Sequence, residues 1–141
     1  MNTRTILLVE DNADDEFFTC RALRACELPL TLHIARDGAE ALDVLFADPG
    51  PKLDPDLILL DINMPKVDGI AVAARVRQEA RTRLTPIVML TSSARPEDVL
   101  RAFEAGANSY LVKPLDSKRL LEVVIGMAHY WLRDSQLPTR C

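Results

Sequence analysis

Leu57-Ile58-Leu59-Leu60-Asp61-Ile62-Asn63-Met64-Pro65 is the stretch from which the rest of the chain can be read. Four apolar residues run directly into an aspartate, and Asp68-Gly69 follows shortly after Pro65. An apolar run this short, bounded by turn residues, predicts a strand covered on both faces, as in a parallel sheet. Asp61 then stands where that strand leaves the core. In open α/β sheets, ligands bind beyond the carboxyl ends of the strands. Taken alone, an aspartate at such a place reads as a cap for the next helix. Here three other strand ends carry chemistry that complements it.

Upstream, Thr5 to Val9 is a second continuous apolar strand, and it ends in Glu10-Asp11. Asn12 to Ala25 reads as a helix capped by Asn12 or Asp14, with acidic residues in its first turn. Phe17, Ala22 and Leu23 are among its apolar positions. Leu30 to Ala35 is a weaker strand. Asp37-Gly38-Ala39-Glu40 has capping-box spacing and opens a helix to about Phe46. Three prolines and a glycine make 48–55 a loop. Downstream, a helix is predicted from Gly69 to about Ala80. Pro86 to Leu90 forms a strand ending in Thr91-Ser92-Ser93. Pro96 suits the first position of a helix that stops at Gly106. Ser109 to Val112 is a strand ending in Lys113-Pro114. Ser117 caps a last helix that runs to about Arg133. Strands alternating with helices five times predict a doubly wound α/β fold: a five-stranded parallel sheet of flavodoxin-like order 2-1-3-4-5 with five helices. One domain is expected over 1–133, with a loosely held tail over 134–141.

The composition agrees with that size. A chain of 141 residues suits one domain, and 48% hydrophobic residues can fill its core. The net charge of −4 argues against a nucleic-acid surface, which is normally basic. No apolar run approaches the roughly 18 residues of a membrane span, and the N-terminus lacks signal-peptide architecture. Cys20, Cys26 and Cys141 lack metal-site spacing and read as reduced thiols of a cytoplasmic protein. His33 and His129 read as structural or surface residues.

In the predicted strand order, Glu10 and Asp11, Asp61, Thr91 and Ser92, and Lys113 converge at one edge of the sheet. Three adjacent carboxylates repel unless one takes a proton or a cation intervenes. Mg²⁺, or Mn²⁺, suits such oxygen ligands and keeps positions open for a phosphate. Lys113 supplies a point charge, and Thr91 a hydroxyl for a phosphate oxygen. The Asp61 carboxylate would be the nucleophile, forming an acyl phosphate by positioning and charge neutralisation.

These segments resemble the receiver domain of two-component response regulators. The resemblance rests on Ile6–Asn12, Leu57–Gly69, Pro86–Ser93 and Ala105–Pro114, in that order along the chain. It implies that Asp61 is the phosphoacceptor. It implies that Glu10, Asp11, Asp61 and the backbone carbonyl of Asn63 hold the metal, with Asp11 the stronger ligand. Thr91, Ser92 and Lys113 would bind phosphate, and Thr91 and Tyr110 would form the switch pair. The Lys113–Pro114 bond would be cis. Asn63 and Ser93 would influence water access and so the phosphoryl lifetime. The partner implied is a sensor histidine kinase docking near Asp15, Phe18 and the Pro114-Leu115 turn. Glu10–Asp14, the loop 48–55 and Trp131-Leu132 further resemble stand-alone regulators of phytochrome-type kinases.

The last helix carries an apolar arc of roughly 220°, wider than the ~100° stripe that core packing needs. It includes Leu120, Val124, Met127 and Trp131, with Leu121, Ile125 and Leu132 on one flank and Val123 and Tyr130 on the other. A homodimer through Leu121, Ile125, Tyr130 and Leu132 is the expectation. Three other functions are weighed. A Mg²⁺-dependent aspartyl-phosphate phosphohydrolase would need a second acid two residues after Asp61, where Asn63 stands. A phosphorylation-independent adaptor would not need a complete pocket. A flavin protein would need a phosphate-cradling loop after the first strand.

Overall fold

The computed structural model describes residues 2–138. Its strands are β1 (Arg4–Val9), β2 (Leu30–Ala35), β3 (Leu57–Leu60), β4 (Ile87–Thr91) and β5 (Ser109–Val112). Between and after them lie α1 (Ala13–Ala25), α2 (Gly38–Phe46), α3 (Gly69–Gln78), α4 (Pro96–Glu104) and α5 (Ser117–His129). All strand pairs are parallel, in the order β2-β1-β3-β4-β5. The expected fold is therefore the observed one.

Period-2 alternation divides the core into two layers. Leu7, Val9, Ile58, Leu60, Ile87 and Met89 face α2, α3 and α4. Ile6, Leu8, Leu57, Leu59, Val88 and Leu90 face α1 and α5. Every residue of β3 is buried, which explains its unbroken apolar run.

Caps fix where the helices begin. Asn12, not Asp14, caps α1 by accepting from Asp15 N at 2.9 Å. Asp37 caps α2 through Glu40 N, and Asp68 caps α3 through Ala71 N. Pro96 opens α4, and Gly106 follows its end with φ +110°. Asp116 rather than Ser117 caps α5, because the aspartate reaches Lys118 N at 3.0 Å. Two helices end earlier than periodicity predicts. α3 stops at Gln78, and α5 stops at His129, after which Tyr130–Asp134 form a π-helical turn.

The wide apolar arc of α5 has a local explanation. The helix packs on the sheet and against α1 beside it, so it is covered from two sides. Leu120, Val124, Met127, Ala128 and Leu132 are buried, while Leu121, Ile125 and Trp131 pack at the margin of the same layer. Leu132, at 2% exposure, belongs to the core, which corrects its assignment to an intermolecular face. Tyr130 is 55% exposed.

The phase of α1 also differs from the reading above. Thr19, Cys20, Ala22 and Leu23 face inward and Phe18 is half-buried, which turns Phe17 outward to 61% exposure. Cys20 and Cys26 are free thiols, whereas Cys141 lies outside the described residues. Among the described residues the cis peptide bond is Asp48–Pro49; Lys113–Pro114 is trans, the form most X–Pro bonds take. Within the expected tail, Leu137 is half-buried and lines a cavity of about 290 Å³ with Arg81, Arg83 and Leu84.

At the edge of the sheet opposite the carboxyl ends, Arg77 of α3 ties three segments together. Its guanidinium donates to Gly106 O (2.9 Å), Arg83 O (3.1 Å), Thr85 O (2.7 Å) and Asn108 Oδ1 (2.7 Å). Asn108 Oδ1 also accepts from Ile87 N, and Asn108 N donates to Ile87 O, each at 2.8 Å. The foot of α4 is thereby fixed to the start of β4.

Candidate functional site

The strand register brings the polar strand ends to one level. Val9 pairs with Leu60, so Glu10 and Asp61 leave the sheet side by side, and Asp61 N donates to Val9 O at 3.1 Å. Thr91 pairs with Val112, which puts Lys113 directly beyond it; Lys113 N donates to Thr91 O at 2.8 Å. The loop after β3 turns back tightly. Gly69 N donates to Ile62 O, and a Cβ on Gly69 would lie 2.0 Å from Asp61 O. Only glycine lets α3 begin this close to the aspartate.

Lys113 is the centre of the cluster. Its Nζ lies 2.5 Å from Glu10 Oε1, 2.9 Å from Asp15 Oδ2 and 3.1 Å from Asp61 Oδ2. An ammonium has three N–H donors, and these acceptors use all of them. Glu10, Asp61 and Lys113 are buried, and Asp11 is exposed. Burial, with Asp61 adding repulsion, pushes the Glu10 carboxyl up to about 7 against the pull of its Lys113 hydrogen bond. Burial alone would lower the Lys113 pKa, but its hydrogen bonds to Glu10 and Asp15 and the nearby carboxylate charges raise it. The lysine is therefore a fixed cation at neutral pH.

Glu10, Asp11 and Asp61 each offer a carboxylate oxygen, and the three oxygens lie within 4.8 Å of one another. An all-oxygen, all-anionic donor set fits a hard divalent cation and leaves room for further ligands. Asn63, the other expected contributor, is exposed, and its N–H donates to Asp61 Oδ1 at 3.4 Å. Thr91 is fully buried, and its Oγ1 has no hydrogen-bond partner among the described residues. A buried hydroxyl left unpaired costs about 1–3 kcal/mol, so it is ready for an acceptor that arrives from outside. Ser92 is exposed and lies outside the ion-paired cluster. Ser93 donates to Asp98 Oδ2 at 2.6 Å, and the Tyr110 hydroxyl donates to Ser93 O at 2.9 Å. Tyr110 is thus attached to the loop that leaves Thr91.

Asp15 is the member that strand-end reasoning missed, having been assigned to a docking surface instead. Its place follows from the phase of α1. Asp15, Thr19, Ala22 and Cys26 follow helical spacing, and the last three are buried. That stripe directs Asp15 toward the sheet at the level of the strand ends.

Known proteins share this sequence pattern and fold. A family profile described as response regulator receiver domain matches residues 6–125. The response regulator Rcp1 of Synechocystis is 36% identical over 139 residues, covering 96% of this chain and 93% of its own. The crystal structure of the phosphorylated cyanobacterial phytochrome response regulator RcpA superposes with a TM-score of 0.89 at 32% identity, over 98% of this chain and 100% of that one. The Mn²⁺-bound form of Rcp1 gives a TM-score of 0.88 at 36% identity, over 96% and 99% of the two chains. A receiver-domain profile over most of the chain and a regulator alike over nearly its whole length agree, and this chain belongs to the response regulator receiver domain family.

Proposed function

We propose that Asp61 accepts a phosphoryl group from the phosphohistidine of a sensor histidine kinase, with Mg²⁺ or Mn²⁺ held by Glu10, Asp11, Asp61 and the Asn63 carbonyl. The observation that carries this reading is Lys113 Nζ at 3.1 Å from Asp61, inside an acidic cluster of cation-binding dimensions. An Asp61 oxygen attacks phosphorus, the P–O bond forms, and the P–N bond to the imidazole breaks. The bound cation supplies charge neutralisation for the phosphoryl oxygens. Lys113 keeps the Asp61 carboxylate oriented and pairs with a phosphoryl oxygen afterwards. Thr91 gives its unpaired hydroxyl to another, with Ser92 at the entrance. The domain assists its own phosphorylation and hydrolysis but acts on no separate substrate.

Occupation of Thr91 is the local event that biases the output face. Tyr110 is bonded to the loop behind Thr91, so displacement of that loop reaches Tyr110 and α4 together. Docking of the kinase is proposed at α1 and the turn after β5. There Phe17 is 61% exposed, Leu115 is fully exposed, and Phe18, Arg21, Ser117, Lys118 and Leu121 line a shallow groove. RcpA is described as a phytochrome response regulator, and a phytochrome-type kinase is the partner class proposed here. The reading implies a cytoplasmic protein; no helix among the described residues is long and apolar enough to cross a membrane. A homodimer through the outer side of α5, with Leu121, Ile125 and exposed Tyr130, completes the reading. Light scattering at tens of micromolar checks it, and a monomer throughout removes the dimer.

The test of the phosphoacceptor is phosphate-affinity electrophoresis after incubation with acetyl phosphate and Mg²⁺. A retarded band is expected for the native chain and none for Asp61→Asn. A shift that survives the substitution sinks the assignment.

A further inference from the structure

The three acceptors of Lys113 are not equivalent. Glu10 and Asp61 also belong to the cation cluster with Asp11, whereas Asp15 does not. Both Glu10 oxygens are already engaged, Oε1 by Lys113 and Oε2 by Asn12 N at 3.2 Å. Asp61 must give its oxygens to the cation and to phosphorus. Asp15 is the one carboxylate among the described residues that contacts Lys113 and has no second commitment at the site. It stands on the first turn of α1, where its own N–H is held by Asn12 Oδ1 at 2.9 Å. The carboxylate is thus fixed to a capped helix, not to a loop.

We infer that Asp15 is a positioning residue for the receiver reaction: it retains the Lys113 ammonium, with one N–H aimed at Asp61, when Glu10 and Asp61 turn to the cation. Without it, a loaded site would leave Lys113 with no uncommitted anion, and its flexible four-carbon stem would wander. The same carboxylate adds a negative charge beside the cation cluster and lessens the competition of Lys113 for Glu10. It therefore favours cation binding as well as orientation. This inference rests on Asp61 being the phosphoacceptor, and it names a residue that the strand-end chemistry does not include.

Asp15→Ala and Asp15→Asn provide the test. The backbone cap at Asn12 is retained in both, and Asp15 is part-exposed, so both variants should fold. In Asp15→Ala, the Mg²⁺ dissociation constant measured by calorimetry is expected to rise roughly tenfold, the scale seen when a partner of metal ligands is removed. Phosphorylation by acetyl phosphate at saturating Mg²⁺ is expected to slow by a similar factor. Asp15→Asn, whose amide oxygen still accepts from Lys113, is expected to recover part of that rate. The Lys113 ammonium, followed by ¹⁵N NMR with Mg²⁺ present, should remain protected in the native chain and exchange rapidly with water in Asp15→Ala. A purely structural Asp15 would lower the melting temperature and leave these readouts unmoved. Native-like Mg²⁺ affinity and ammonium protection in Asp15→Ala overturn the inference. The ammonium measurement needs no phosphoryl transfer, so it decides the matter even where Asp61 fails its own test.

Discussion

Lys113 answers to Glu10, Asp15 and Asp61 at once, and its removal separates two roles that the intact site combines. In Lys113→Ala the acids lose their internal cation. Mg²⁺ binding, measured by calorimetry, should tighten several-fold, because no ammonium competes for the oxygens. Phosphorylation by acetyl phosphate should nevertheless fall well below the native rate, since nothing neutralises the outer phosphoryl oxygens. Glu10 gives a pH dependence of definite sign. Its folded pKa of about 7 lies above the ordinary 4.5, so the folded state binds the proton more tightly. The stability it contributes without metal is fully present below pH 4.5 and is lost as the pH rises through about 7. A shift of this size corresponds to on the order of 3 kcal/mol. Urea titrations of the metal-free domain between pH 4.5 and 8 should show the decline, and Glu10→Gln should flatten it. Mg²⁺ binding should weaken over the same interval as the pH falls. Glu10, Asp61 and Lys113 were legible because each ends an apolar run. Asp15 was not, because it follows no strand and its helix face becomes visible only when the phase of α1 is fixed by Thr19 and Ala22.

At the level of elements, the junction between β3 and α3 carries the tightest constraint near the site. Gly69→Ala would drive a methyl into Asp61 O, which lies 2.0 Å from the required Cβ position. Overpacking of this kind typically costs about 1–3 kcal/mol. Chemical denaturation should show that loss, with slower phosphorylation because Asp61 moves with its backbone. Helix starts were readable to within a residue, since a short polar side chain must meet a free N–H there. Helix ends were less so: the apolar pattern of α5 continues through Trp131 and Leu132 while its hydrogen bonds change to a π-helical turn at Tyr130. The width of its apolar arc was also ambiguous, because a helix covered by both a sheet and α1 looks like one awaiting a partner. Only packing distinguishes the two, and it moved Leu132 from an outer face to the interior.

Across the whole molecule, alternation of strand and helix gives parallel strands joined by right-handed crossovers, while the order 2-1-3-4-5 came from the count of five strands and the common doubly wound topologies. β3 lies at the centre of that order, and each of its residues is completely buried. Leu59→Ala should therefore cost roughly 2–5 kcal/mol, read as a lowered midpoint of a single cooperative unfolding transition. The core has a layer on each face of the sheet, and α4 belongs to the one that Tyr110 packs against. Its upper end is attached by replaceable contacts, Ser93 to Asp98 and Tyr110 to Ser93. Its lower end is gripped by Arg77 through neutral carbonyl oxygens, which added salt does not screen as it screens surface ion pairs. A rod clamped at one end and latched at the other swings about the clamp. Any message leaving the phosphorylated rim along α4 is accordingly a tilt with its fulcrum at Gly106, greatest at Arg95 and vanishing toward the floor of the domain.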